Sequence, residues 1–262
     1  MVSLAVRFPL FVPGDRPERF AKAALSGADA VIFDLEDAVA PAAKAGARAA
    51  LKDPILPGGI LTIVRVNGRF TSFHAEDLAA ITGLGLAAIM LPKSETAEDI
   101  QSVAASLPGI KVIALIETAR GLANARTIAC HAQQLAFGSI DYCADLGLAH
   151  VRDALLSARS ELVLASRLAG LPPPIDGVTT SIQDAALIEE DSRYASQLGF
   201  GGKLCIHPSQ IHAAKRGFAP TEADIAWAQK ILAAGDDGAV SVDGAMVDAP
   251  VRLRAQRILD IA

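Results

Sequence analysis

Two patterns alternate along the chain. Short apolar runs end in polar or Gly/Pro punctuation, and Ala-rich amphipathic stretches follow them. The apolar runs cover residues 8–12, 30–33, 61–66, 87–91, 112–116, 134–137, 175–178 and 203–206. The intervals predict helices over 17–26, 41–52, 74–83, 96–106, 120–130, 152–169, 183–198 and 208–216. Strands that are apolar throughout and alternate with helices indicate a parallel sheet covered on its outer face. Eight such units close into a (β/α)8 TIM barrel. An open doubly wound sheet is the competing arrangement, but no Gly-x-Gly-x-x-Gly follows the first strand.

The chain continues past the eighth unit. Residues 220–234 predict a helix, Gly235-Asp236-Asp237-Gly238 a turn, and the remainder a small hairpin and a closing helix from Pro250. The expected organisation is a barrel over 1–218, then a helix, linker and lid extension over 219–262. The extension packs on the barrel or on a neighbouring subunit.

Composition narrows the classes of partner. Of 262 residues, 52% are hydrophobic, enough for a large core, and aromatics are only 5%. That shortage, with a net charge of −5, argues against nucleic acid as a partner. No apolar run approaches the roughly 20 residues of a membrane span, so no membrane partner is expected. Cys130, Cys143 and Cys205 are odd in number and widely spaced. They read as reduced thiols of a cytoplasmic protein. The opening residues lack a basic n-region and a cleavage site, and read as a first strand.

In a barrel of this kind the chemistry sits at the carboxyl ends of the strands. The polar residues there are Asp34, Glu36, Asp37, Arg65, Asn67, Lys93, Glu117, Asp141 and His207. Glu117 and Asp141 follow adjacent strands, and a pair of carboxylates completed by waters and ligand suits Mg²⁺. The plainer alternative makes Glu117 a helix cap and Asp141 a turn residue. Arg65 ends an apolar strand, where it either holds a ligand carboxylate or enolate oxygen, or pairs with Asp34, Glu36 or Asp37; the two are compatible. Lys93 reads first as a partner for these acids. His207 is either a general base or a structural loop residue. No thiol or serine nucleophile motif is present.

The strings FVPGDRPERFAKA, ADAVIFDLEDAVAP, VRVNG, IMLPKSE, ALIETARGLANA, LAFGSIDYCADLG and KLCIHPSQI follow one another over nearly the whole chain. Together they resemble the citrate lyase beta-subunit-like family, whose relatives include malyl-CoA and citramalyl-CoA lyases of the phosphoenolpyruvate/pyruvate-type barrel superfamily. The resemblance implies a Mg²⁺-dependent (or Mn²⁺-dependent) carbon–carbon lyase. It would cleave or condense a 3-hydroxy-acyl-CoA thioester, giving an α-keto acid and an acyl-CoA, and would form a homotrimer. Glu117 and Asp141 match the metal carboxylates, Arg65 the substrate arginine, and Glu36 and Asp37 the acids of the active-site loop. The string DGAMVDAP resembles a lid that places Asp248 as a proton donor in a neighbour's site; the alternative is a helix cap. CoA phosphates are expected near Arg16 and Lys22. Three further readings stay open: an aldolase on free keto acids, a citrate lyase subunit that needs an acyl-carrier partner, and a catalytically inactive binding barrel.

Overall fold

The computed structural model describes residues 5–52, 56, 59–234, 240–243 and 245–261. The predicted turn at 235–238 lies outside the described residues. The chain divides into two compact units, Met1–Gly217 and Phe218–Ala262.

In the first unit eight strands run β1 (Pro9–Pro13), β2 (Ala30–Asp34), β3 (Leu61–Arg65), β4 (Ala88–Leu91), β5 (Val112–Ile116), β6 (Gln134–Phe137), β7 (Ile175–Asp176) and β8 (Gly202–Lys203). They are parallel and neighbour one another in sequence order. Backbone bonds from Lys203 to Arg7 (2.7 Å), Cys205 to Pro9 (3.0 Å) and Phe11 to Cys205 (2.9 Å) bring β8 against β1. A side chain at Gly202 would collide with the Arg7 carbonyl, so this closing contact requires glycine. The expected (β/α)8 barrel is therefore the fold observed.

Successive strand residues point to opposite faces. One set fills the barrel interior, with Ile32, Ile63, Met90, Leu115, Ile175 and Leu204 among its members. The alternate set, such as Val31, Phe33, Val64, Ile89 and Phe137, is equally buried and meets the helices. Burial on both sides explains why the runs lack polar alternation.

The helices of this unit are α1 (Phe20–Ala24), α2 (Lys44–Ala50), α3 (His74–Ile81), α4 (Ala97–Ser106), α5 (Ala119–Ala123), α6 (Ala125–Ala129), α7 (Ser139–Leu146), α8 (Arg152–Leu168), α9 (Ala185–Leu198) and α10 (Gln210–Phe218), the last reaching one residue beyond the unit. Besides shifts of a few residues at element ends, four details differ from the pattern-based reading. Strand β8 spans Gly202–Lys203 rather than 203–206, with an isolated Leu10–Cys205 bridge beyond it. The helix expected over 120–130 is two helices meeting at Asn124. Strand β7 stops at Asp176 rather than reaching 178, and the next carbonyl, that of Gly177, accepts from the Lys203 ammonium (2.7 Å). Helix α7 was not anticipated. It starts at Gly138, which offers no capping side chain, so the usual start signal is missing.

The second unit contains α11 (Glu222–Ala233), the antiparallel pair β9 (Val240–Val242) and β10 (Ala245–Val247), and α12 (Ala249–Ile261). Ala228, Ile231, Val247 and Ala255 form its buried centre, with Trp227 packed against them. Thr221 and Asp224 cap α11 reciprocally. Among the described residues no helix is long and apolar enough to cross a membrane. Cys130, Cys143 and Cys205 are free thiols.

Candidate active site

The carboxyl ends of the strands surround a cavity of about 400 Å³, lined by Asp34, Asp37, Arg65, Glu117 and Asp141 and by apolar residues including Phe11, Leu115 and Val178. Each polar group arrives by a separate local device. Asp34 and Arg65 end β2 and β3 and stand opposite each other in register. Their side chains form a bidentate pair, Nε–Oδ1 2.8 Å and Nη2–Oδ2 2.6 Å, so both predicted roles of Arg65 remain available to one residue. Asp34 also accepts from the backbone N–H of Glu36 and Ala38, which folds the following loop tightly around it.

That loop carries the predicted acids to different places. Glu36 is buried; its Oε1 accepts from the Lys93 ammonium at 2.8 Å, and its Oε2 lies 3.0 Å from Arg65 Nη1. Asp37 is exposed on the cavity wall. Lys44 holds the loop from below, donating to the carbonyls of Leu35 and Glu36 and to Asn67 Oδ1. Asn67 in turn is held by Asp77. Lys44 and Asp77 carried no functional signal in the sequence, because an internal helix lysine and aspartate read as surface charge.

Glu117 does not cap the helix after it; Thr118 does, accepting from Gly121 N–H. Glu117 instead turns inward and is 1% exposed. Its Oε1 accepts from the Lys93 backbone N–H at 2.8 Å, with the Lys93 ammonium 3.8 Å away. Lys93 adopts a positive φ of 47°, a backbone conformation uncommon outside glycine. Glu117 Oε2 is buried with no hydrogen-bond partner. Burial, then the nearby Glu36 carboxylate and Asp141, push the Glu117 carboxyl up to about 8. A side chain at Gly138 would run into the Glu117 carboxylate and its Cβ, so the residue that starts α7 leaves room for the acid of the preceding strand.

Asp141 is partly exposed and lines the same cavity, but it stands in the first turn of α7 rather than in a loop after β6. Burial also raises Glu36, against the lowering effect of Arg65 and Lys93. Arg65 and Lys93 are held above their ordinary values, because their carboxylate partners outweigh the cost of burial. Four carboxylates (Asp34, Asp37, Glu117, Asp141) and Arg65 thus line one cavity, and the Glu36–Lys93 pair adjoins it through Arg65 and Glu117. The excess negative charge, and the orphaned Glu117 oxygen, fit a hard divalent cation that completes its shell with water and ligand oxygens. Among the described residues no group of three or more His, Cys, Asp or Glu side chains forms a closed metal cage, so the fit is to an open site.

The remaining predicted residues lie elsewhere. Lys22 lines a second cavity of about 360 Å³ with Arg19 and His207; it shares Phe11, Pro13 and Ile206 with the first. Arg16 is not on that wall; it is exposed, 4.0 Å from Asp15. His207 bonds Ser209 and reaches no acid of the main cavity. Asp248 precedes α12 and accepts from Val251 N–H at 3.2 Å, which is helix capping.

A family described as HpcH/HpaI aldolase/citrate lyase matches residues 7–208. A citrate lyase subunit beta-like protein of Mycobacterium tuberculosis is 40% identical, over 95% of this chain and 93% of its own length. A (3S)-malyl-CoA thioesterase of Cereibacter sphaeroides is 36% identical, over 92% and 89% respectively. The M. tuberculosis CitE structure in complex with magnesium, acetoacetate and coenzyme A superposes with a TM-score of 0.90 at 39% identity, covering 100% of this chain and 99% of that one. With the family match spanning the barrel and its site, and relatives aligned over nearly their full length, the chain belongs to the HpcH/HpaI aldolase/citrate lyase family.

Proposed function

We propose that this protein is a divalent-metal-dependent carbon–carbon lyase that cleaves, or forms in reverse, a 3-hydroxy-acyl-CoA thioester, with an α-keto acid and an acyl-CoA as the other side of the reaction. The observation that carries this reading is the buried, unpartnered Glu117 Oε2 beside Asp141 in a cavity that also presents Arg65. Glu117 and Asp141 would hold Mg²⁺, or Mn²⁺ in its place. When bound, such a cation supplies Lewis acidity toward the substrate's hydroxyl and carboxylate oxygens.

Arg65 spends two of its five N–H groups on Asp34 and turns Nη1 toward Glu36. The donors left over suit an oxygen on which charge develops. Glu36 and Asp37 act around it: Glu36 orients Arg65 and Lys93, and Asp37 lies on the wall where substrate enters. In cleavage the hydroxyl proton passes to solvent, the hydroxyl-bearing carbon becomes the carbonyl of the keto acid, and its bond to the thioester α-carbon breaks. Its electron pair passes into the thioester enolate, and a proton returns to the α-carbon. Asp248 of a neighbouring copy in a homotrimer is the assigned donor of that proton. Lys22, with Arg19 and His207 around the second cavity, is the assigned contact for the CoA phosphates, a role in which Arg16 loses its support.

The test is a metal-dependence screen of malyl-, citramalyl- and citryl-CoA, following keto acid and acyl-CoA together. Glu117→Gln is expected to lower turnover by about 10²–10³-fold; wild-type turnover with unchanged Mg²⁺ dependence would overturn the assignment. Asp248→Asn keeps a capping side chain while removing the acid, so unimpaired turnover would leave Asp248 only a cap. Activity insensitive to competing free CoA would mark an aldolase on free keto acids. Activity only on carrier-bound substrate would mark a subunit with an acyl-carrier partner, and none on any of these a binding barrel.

A further inference from the structure

We propose that Ser139 and His150 form a positioning pair that sets the rotation of α7 and thereby aims the Asp141 carboxylate at the divalent cation. This rests on the reading of Glu117 and Asp141 as the metal carboxylates. Ser139 is 1% exposed, and its Oγ lies 2.9 Å from His150 Nε2. On its other side Gly177, in the segment after β7, packs so closely that any side chain there would collide with Ser139 Oγ and Cβ. The preceding residue, Gly138, is pressed against Glu117 in the same way. Two consecutive residues at the start of α7 are therefore gripped by different walls of the barrel mouth.

The helix needs such a grip. Gly138 provides no side-chain cap, so the hydrogen bond that commonly fixes a helix start is missing. The chain instead turns back after α7, through Gly147 with φ 68° and a Leu148 N–H to Cys143 carbonyl bond of 2.9 Å. This return brings His150 over the first residue of the helix. Asp141 is two residues beyond Ser139, about 200° around the helix axis; both border the cavity, but Ser139 is held by Gly177 and His150. At a side-chain radius of about 5–6 Å, a 10° turn of α7 moves the carboxylate by about 1 Å. Metal–ligand distances tolerate only about 0.2 Å.

Although Ser139 borders the cavity, its Oγ is taken up by His150, and the pair acts through Asp141. The experiment titrates the full-length protein with Mn²⁺, reading free Mn²⁺ by electron paramagnetic resonance, alongside thermal melts. Ser139→Ala and His150→Ala are each expected to weaken Mn²⁺ binding by about tenfold, the usual scale for groups that orient a metal ligand. Their melting temperatures should stay near wild type. The double variant should be no weaker than either single one, because one hydrogen bond is lost in all three. His150→Gln, which keeps a hydrogen-bonding group, should retain more affinity than His150→Ala. Turnover at saturating Mn²⁺ should recover, so the activation constant for metal moves and kcat does not. Unchanged Mn²⁺ affinity in both single variants, while Glu117→Gln abolishes binding, would overturn the positioning role alone. Unchanged affinity in Glu117→Gln would instead overturn the metal reading on which it rests. An acyl group found on Ser139 by mass spectrometry after incubation with a thioester would also overturn it, because Ser139 would then be a nucleophile.

Discussion

Asp176 at the end of β7 and Glu117 after β5 are equally buried, each 1% exposed, yet the barrel treats them in opposite ways. Asp176 points outward, toward α8, because its neighbour Ile175 belongs to the interior set. There it accepts from Arg159 Nε at 2.8 Å and from the Lys203 ammonium at 3.2 Å. Burial opposes its charge, but Lys203 and Arg159 outweigh it and hold its carboxyl below the ordinary value. Glu117 has one backbone N–H and a more distant ammonium, and its carboxyl rises to about 8. A carboxylate whose charge is met by the protein's own cations is structural. One left short of them, in a cavity, is the kind of group that the proposed function uses to hold a cation.

The sharpest way to break the comparison is to remove the satisfied acid. Asp176→Ala leaves Arg159 and Lys203 buried without their anion, and is expected to cost about 3–5 kcal/mol of folding stability in denaturant titrations. Glu117→Gln in metal-free protein should cost nothing comparable, since the raised Glu117 carboxyl is already largely protonated near neutral pH and an amide oxygen can still accept from the Lys93 N–H. Next in size, Gly138→Ala drives a methyl into Glu117. A destabilisation of about 1–3 kcal/mol is expected, with weakened Mn²⁺ binding in the same titration. An unaffected Mn²⁺ affinity would mean that the Glu117 pocket yields without consequence.

The smallest effects are in pH dependence, and the two acids should differ in sign. For Glu117 the folded value of about 8 exceeds the ordinary 4.5, so the folded metal-free protein binds the extra proton. Its contribution to stability is therefore lost as pH rises from about 4.5 through about 8, by at most about 1.4 kcal/mol per pH unit. Glu117→Gln should flatten that slope, and melts across the range would show it. For Asp176 the folded value lies below the ordinary 3.8, so its contribution is present above about 3.8 and is lost as pH falls through the depressed value. Binding of Mn²⁺ should also strengthen as pH rises toward about 8, with a proton released from Glu117 on binding. A pH-independent Mn²⁺ affinity between 6 and 8 would contradict the raised carboxyl.

Much of the barrel was legible in the chain because its strands are buried on both faces. A run such as Val112–Ile116 has no polar residue to hide its limits. The acids and bases that follow these runs were legible for the same reason: a charge next to a fully apolar strand has few places to be except the open end. Helix α7 was less legible, because its eight residues carry a mixed pattern and no capping residue. Reading Asp141 as following directly on a strand, or as a turn residue, comes from that.

What the sequence by itself determined is the alternation of strand and helix, the carboxyl-end placement of Arg65, Glu117 and their neighbours, and the family that these strings resemble. These are local properties, repeated in order along the chain. Only the tertiary structure decided that Glu117 would turn inward with one oxygen unpartnered and that Asp34 rather than Asp37 would take Arg65. The same holds for the meeting of Ser139 with His150. Each outcome depends on which walls meet when the barrel closes. Contacts such as Gly138 against Glu117 and Gly177 against Ser139 join residues far apart in the chain, through glycines whose missing side chains carry no pattern of their own.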